Sequence, residues 1–177
     1  MRLFIAFDVK SEEIERLRDV FSIEGVNLAE GIHLTLKFLG EVDESLVPRI
    51  QEALRSIRFD KIDVKLDGLS AFPNKKFIRV VWVGLEPEDK ILELKKKIDE
   101  ALEQYFPVDK DFKVHVTIGR VKDPSVKDIV LEKLKERVEP EKIVIDCFKL
   151  YRSELKKSGS VYTVVETYEG LPDLRLA

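Results

Sequence analysis

Two apolar rhythms alternate along the chain. In "RLFIAFDV" (2–9), "IHLTLKFL" (32–39), "DVKLDGLSAF" (63–72), "FIRVVWVGL" (77–85), "FKVHVTIGRV" (112–121), "KIVIDCFKLYRS" (142–153) and "SVYTVVETYE" (160–169) apolar residues recur with period two or run together, which predicts strands. In "SEEIERLRDVF" (11–21), "DESLVPRIQEALRSI" (43–57), "PEDKILELKKKIDEALEQYF" (87–106) and "DPSVKDIVLEKLKERV" (123–138) they recur at helical spacing. Ser11 and Asp43 are N-cap candidates, and Pro48 and Pro87 fall near helix starts. "PNKK" (73–76) and "KKSG" (156–159) read as turns between paired strands.

The order repeats. Each half runs strand, helix, strand, helix, strand, and the middle strand carries His-apolar-Thr-apolar. The halves share little identity outside that motif, so the repeat is one of plan. With no low-complexity segment and no Gly/Ser linker, residues 1–177 read as a single compact domain. Its approximate lobes are 1–75 and 76–177, with exchange of strands between them allowed.

Composition narrows the class. The chain has 177 residues, enough for a sizeable core, with 31 basic and 34 acidic residues and a net charge of −3. That balance argues against broad coating of nucleic acid but leaves room for a site gripping one phosphate at a strand end. Cys147 is the only cysteine, which excludes an internal disulfide; its strand-like setting predicts a buried thiol. "MRLFIAFDVK" has too short an apolar run for a signal peptide, and no run reaches membrane-spanning length, so the reading is of a cytoplasmic protein. Two Asn, two Gln, one Met and one Cys beside abundant Lys and Glu suit a thermophile.

The chemistry concentrates at the two histidines. On a strand, residues i and i+2 share a face, so His33 and Thr35 project together, while Ile32, Leu34, Leu36 and Phe38 are expected on the opposite face. His115 and Thr117 do the same, opposed by Val114, Val116 and Ile118. If the equivalent strands face each other, the two pairs line one cleft. One imidazole then serves as base and the other as acid, with threonine hydroxyls on the oxygens of a phosphate between them. The pattern alone does not say which histidine does which. Metal chemistry fits less well: no H-E-x-x-H or C-x-x-C occurs, and two histidines lack an evident third ligand, although a carboxylate such as Asp8 would complete a set. Neither a Walker A motif nor a dinucleotide glycine fingerprint is present.

Together, "RLFIAFD", "HLTLKFLGEV" (33–42), "FPN…RVVWVGL" (72–85), "HVTIGRVK" (115–122) and "LYRSEL…GSVYTVVETY" (150–168) resemble the 2H phosphoesterase superfamily. The narrower likeness is to the RNA 2′,3′-cyclic phosphodiesterases, also called 2′-5′ RNA ligases, over nearly the whole chain. The resemblance implies a LigT-like α+β fold: two pseudo-symmetric lobes with antiparallel sheets around a central cleft and helices outside. It implies hydrolysis of RNA 2′,3′-cyclic phosphate ends to 2′-phosphates without cofactor or metal, and reversible 2′-5′ joining of tRNA halves. His33 becomes proton donor to the leaving 3′-oxygen, His115 the proton acceptor that activates water, and Thr35 and Thr117 the phosphate-binding hydroxyls. The implied partners are RNA, notably tRNA fragments with cyclic phosphate ends, and nucleotides. A non-catalytic binder of RNA ends, or a phosphodiesterase for a small cyclic nucleotide or ADP-ribose cyclic phosphate, are the rival readings.

Four further residues are candidates. Arg120 matches a family arginine, yet its five-residue offset from His115 puts it on the wrong face of a regular strand unless the strand bends near Gly119; an ion pair supporting the fold is the alternative. Phe72 and Tyr162 are candidates to stack on RNA bases, or are core or rim residues. Lys37 shares the parity of His33 and Thr35, which predicts contact with an RNA phosphate. The runs Lys75–Lys76, Lys95–Lys97 and Lys156–Lys157 read as solvated surface.

Overall fold

The computed structural model describes residues 1–172. Strands β1 (Arg2–Asp8), β3 (His33–Glu41), β8 (Cys147–Lys156) and β9 (Gly159–Glu169) form one antiparallel sheet in the order β3-β1-β8-β9. Strands β2 (Val26–Leu28), β6 (Val116–Val121), β5 (Phe77–Glu86), β4 (Ile62–Asn74) and β7 (Lys142–Ile145) form a second, in the order β2-β6-β5-β4-β7, also antiparallel throughout. Helices α1 (Glu12–Val20), α2 (Val47–Arg55), α3 (Asp89–Leu102) and α4 (Lys127–Lys133) complete an α+β fold of two lobes. No helix among the described residues is long and apolar enough to cross a membrane.

Helix placement follows the apolar spacing. Ile14, Leu17 and Phe21 lie on one face of α1 and its C-terminal end and are fully buried, each worth ~1.5–3 kcal/mol of burial. The Ser11 side chain caps this helix by accepting from the Ile14 N–H at 3.0 Å. In α3, Ile91, Leu94, Ile98 and Leu102 form the buried stripe. Crossing contacts tie the lobes together: α1 packs on β6, and α3 packs on β3.

The sheets do not divide the chain at 75/76. That point falls in the turn of the β4–β5 hairpin, β2 and β4 of the first half lie in the second sheet, and β8 and β9 of the second half close the first sheet. The stretch 142–153 is not one strand. It breaks at Asp146, leaving β7 in one sheet and β8 in the other. The predicted helices 43–57 and 123–138 start late, at Val47 and Lys127, for a shared reason. Asp43 and Asp123 each accept from the backbone N–H two residues on, at 2.9 Å, which caps a 3-10 turn ahead of the helix proper. Cys147 is half-buried, not buried, and burial together with Asp146 and Glu169 pushes its thiol up to about 11.

In β1, Leu3, Ile5 and Phe7 enter the main core, while Phe4 and Ala6 point the other way into a small aromatic cluster with Tyr151 and Tyr162. Both faces of this strand are therefore covered, which explains its continuous apolar run. The aromatic face is the one on which the first histidine stands.

Candidate active site

The first motif is built on the β1–β3 pair. Asp8 lies opposite His33, and Ala6 opposite Thr35, so these residues share a face with Phe4. The half-buried His33 ring sits 5.3 Å from the Phe4 ring and 5.5 Å from Tyr162, the latter edge-on at 86°. Asp8 accepts hydrogen bonds from Lys149 Nζ at 2.6 Å and from the Tyr151 hydroxyl. Burial alone would raise the Asp8 carboxyl, but these two donors outweigh it and hold the group below its ordinary range, so it stays ionised. Burial pushes the His33 imidazole down, and the Asp8 charge works in the opposite direction.

The second motif starts just before its strand. His115 precedes β6, and its Nδ1 lies 2.7 Å from the Lys113 carbonyl oxygen. A carbonyl only accepts, so Nδ1 carries the proton and Nε2 of the neutral ring is left with a free lone pair. Phe72 meets this ring edge-on at 4.9 Å and 81°, and stacks on Trp82 at 4.9 Å. Burial pushes the His115 imidazole down; the Lys113 carbonyl raises it and the Arg120 charge lowers it further.

Both motif strands are bulged at the same place. Along β3 the pairing runs Thr35 to Ala6 and then Lys37 to Ile5, skipping Leu36. Along β6 it runs Thr117 to Trp82 and then Gly119 to Val81, skipping Ile118. An extra residue reverses side-chain parity beyond it. The residue five after each histidine, Phe38 or Arg120, therefore returns to the histidine's face, and the residue four after it turns away.

This corrects the expectation for Lys37. Its side chain is 1% exposed, and its ammonium donates to Asp99 at 2.8 Å, the Pro107 carbonyl at 2.9 Å and Asp109 at 3.1 Å. All three N–H donors are used inside the protein, so none is left for an RNA phosphate. Lys95 is likewise buried, bonded to Asp99 at 2.9 Å and placed 5.1 Å from the Phe112 ring; the solvated reading of its run holds only for its neighbours. The two lysines and two aspartates fasten β3 and α3 to the segment that leads into His115. Arg120 is exposed on the cleft face and makes no ion pair with a carboxylate among the described residues.

Each motif contributes one of its polar residues to a common cavity; His33, Thr117 and Arg120 do not line it. Strands β3 and β6 approach each other across the sheets. Thr35 from the first motif and His115 from the second line one cavity of about 520 Å³, together with Phe38, Phe72, Phe112 and Lys113. Among the described residues no three His, Cys, Asp or Glu side chains converge in a metal-binding set. The residues that sequence reasoning assigned no part in the acid–base chemistry are Asp8, Lys149, Tyr151 and Trp82. Asp8 lies within "RLFIAFD", but only the strand register reveals that it faces His33.

Comparison with known proteins gives the family and the fold. The 2′-5′ RNA ligase superfamily profile matches residues 7–157. An RNA 2′,3′-cyclic phosphodiesterase of Archaeoglobus fulgidus is 38% identical over 178 residues, covering 96% of this chain and 100% of that protein. One from Methanocaldococcus jannaschii is 37% identical, covering 95% and 100%. The crystal structure of TT0787 from Thermus thermophilus superposes with a TM-score of 0.79 at 28% identity, covering 96% of this chain and 97% of the other. E. coli LigT in apo form shares the fold, with a TM-score of 0.75 at 22% identity over 97% and 98% of the chains. The chain belongs to the 2′-5′ RNA ligase superfamily, a family of 2H phosphoesterase enzymes.

Proposed function

We propose that the chain opens 2′,3′-cyclic phosphates at RNA ends to 2′-phosphates, with His33 as proton donor and His115 as proton acceptor. The observation that carries this reading is that Asp8 faces His33 while the Lys113 carbonyl holds His115 Nδ1 and leaves Nε2 free; burial lowers both imidazoles, and within that shared lowering Asp8 raises His33 and Arg120 lowers His115 further. A carboxylate favours imidazolium, which suits the acid; a guanidinium favours the neutral ring, which suits the base. The relatives' names, RNA 2′,3′-cyclic phosphodiesterase, support the substrate.

In the proposed reaction a water molecule attacks phosphorus in line with the 3′-oxygen. His115 Nε2 takes the water proton as the new P–O bond forms. The P–O3′ bond breaks, and His33 gives its proton to O3′, leaving a 3′-hydroxyl and a 2′-phosphate. Solvent returns both rings to their starting states. Thr35 and Thr117 donate to the non-bridging oxygens, and Arg120 offsets the charge that builds on them. No step requires a metal or nucleotide cofactor. A 5′-hydroxyl in place of water yields a 2′-5′ linkage by the same proton transfers, and tRNA fragments with cyclic phosphate ends, in the cytoplasm, fit this substrate class.

The test is incubation with an RNA ending in a 2′,3′-cyclic phosphate, in the presence of a chelator, followed by assignment of the product phosphate. A 2′-phosphate formed at undiminished rate is expected. A 3′-phosphate, or activity abolished by the chelator, contradicts the scheme.

A further inference from the structure

A second cavity, of about 440 Å³, opens where β5 and β6 run past the candidate active site. Four cations line it: Arg79 from β5, Arg120 from β6, Lys122 just beyond it and Lys127 from α4. None of the four pairs with a carboxylate among the described residues. The acidic groups nearest in sequence are Asp123, engaged in capping the 3-10 turn through the Ser125 N–H, and Asp128 on α4. In a chain with net charge −3 this groove is a local reversal of sign. Unneutralised cations held close together repel one another, which disfavours the arrangement unless an anion occupies it.

An aromatic platform accompanies the charge. Phe77 is 54% exposed, and the Arg79 guanidinium lies 4.7 Å from the centre of its ring. The groove lies beside the candidate active site on the same sheet. Val80 pairs with Phe72 on one side and with Arg120 on the other, so residues of both cavities stand on one face of one sheet. A cationic track with an exposed ring, leading away from a phosphate-handling site, has the two features that single-stranded nucleic acid binding needs: backbone neutralisation and a stacking surface.

We infer that this groove holds the RNA strand on the upstream side of the reacting end, with backbone phosphates against Arg79, Lys122 and Lys127 and a base on Phe77. The substrate class is then a single-stranded RNA 3′ end of several nucleotides, in preference to a cyclic mononucleotide. This inference rests on the proposed reading of the site.

The test compares the full chain with the Arg79→Gln/Lys127→Gln double variant on two substrates. One is a nucleoside 2′,3′-cyclic phosphate; the other is a short oligoribonucleotide ending in the same cyclic nucleotide. The unaltered protein should favour the oligomer in kcat/KM by about ten-fold or more at low salt. The double variant should lose most of that preference through KM and keep its kcat/KM for the mononucleotide. Binding of a 3′-phosphorylated oligoribonucleotide, followed by fluorescence anisotropy across a salt series, gives a readout independent of turnover. The log–log salt slope should fall by about 1.4, at ~0.7 for each phosphate contact removed from a single strand. Equal turnover of the two substrates by the unaltered protein, or an unchanged salt slope in the variant, overturns the inference. If neither substrate is opened, the catalytic proposal fails, and the anisotropy slope alone still decides the groove.

Discussion

The two His-x-Thr motifs have the same backbone and different surroundings. Each strand skips one residue after its threonine, at Leu36 or at Ile118, and so each returns its fifth residue to the cleft. In the first half the returning residue is Phe38, the inward-turning one is Lys37, and the neighbour of the histidine is the carboxylate of Asp8. In the second half the corresponding residues are Arg120 and Gly119. Gly119 is needed because a Cβ there would meet Val26 at 3.0 Å and the Asn27 carbonyl at 3.1 Å. A shared backbone geometry thus holds two identical rings beside different neighbours: burial lowers both imidazoles, Asp8 works against that at His33, and Arg120 adds to it at His115.

Replacing either ring breaks the comparison most severely. His33→Ala and His115→Ala should each reduce kcat by about 10²–10⁴-fold, the usual worth of one acid or base role, with unchanged circular dichroism and melting temperature. Lys37→Met acts on stability instead. It leaves Asp99 buried with less compensating charge, and chemical denaturation should show a loss of about 3 kcal/mol. Activity should fall with it, because the same network holds the segment leading to His115.

Two milder substitutions sharpen the contrast by moving opposite limbs of the pH–rate curve. In the proposed reaction His115 is neutral and His33 protonated, so the rate should fall at low pH as His115 gains a proton and at high pH as His33 loses one. Asp8 raises the His33 pKa; Asp8→Asn should therefore move the high-pH limb to lower pH. Arg120 lowers the His115 pKa; Arg120→Gln should move the low-pH limb to higher pH. Both narrow the active window, from different sides, and a full kcat/KM profile of each variant distinguishes them. The smallest effect is expected from Tyr162→Ala, which removes the edge contact to His33 and should raise KM more than it lowers kcat, as steady-state kinetics would show.

Alternation and helical spacing were enough to find the motif strands, the helices and the pairing of His33 with Thr35 and His115 with Thr117. Phe72 and Tyr162, offered as aromatics to stack on RNA bases or as core or rim residues, are half-buried and stand against the rings of His115 and His33. What escaped was anything set by register. A bulge leaves no mark in hydrophobic periodicity, so parity counting sent Lys37 to the cleft and left Arg120 on the wrong face; one skipped residue reverses both. The break at Asp146 was hidden for a related reason: two strands in different sheets, joined through a single residue, read as one apolar run. Asp8 was visible as a residue, but its effect on His33 depends on cross-strand pairing and on donors from β8, over a hundred positions away.

The central claim is that His33 protonates the leaving oxygen while His115 deprotonates the nucleophile. A cyclic phosphate substrate with sulfur in place of the bridging 3′-oxygen tests it most directly, because a thiolate departs without a proton. On that substrate His33→Ala should recover to within about ten-fold of the unaltered enzyme, while His115→Ala stays lower by about 10²–10⁴-fold. Recovery of His115→Ala instead, or of neither variant, would contradict the account.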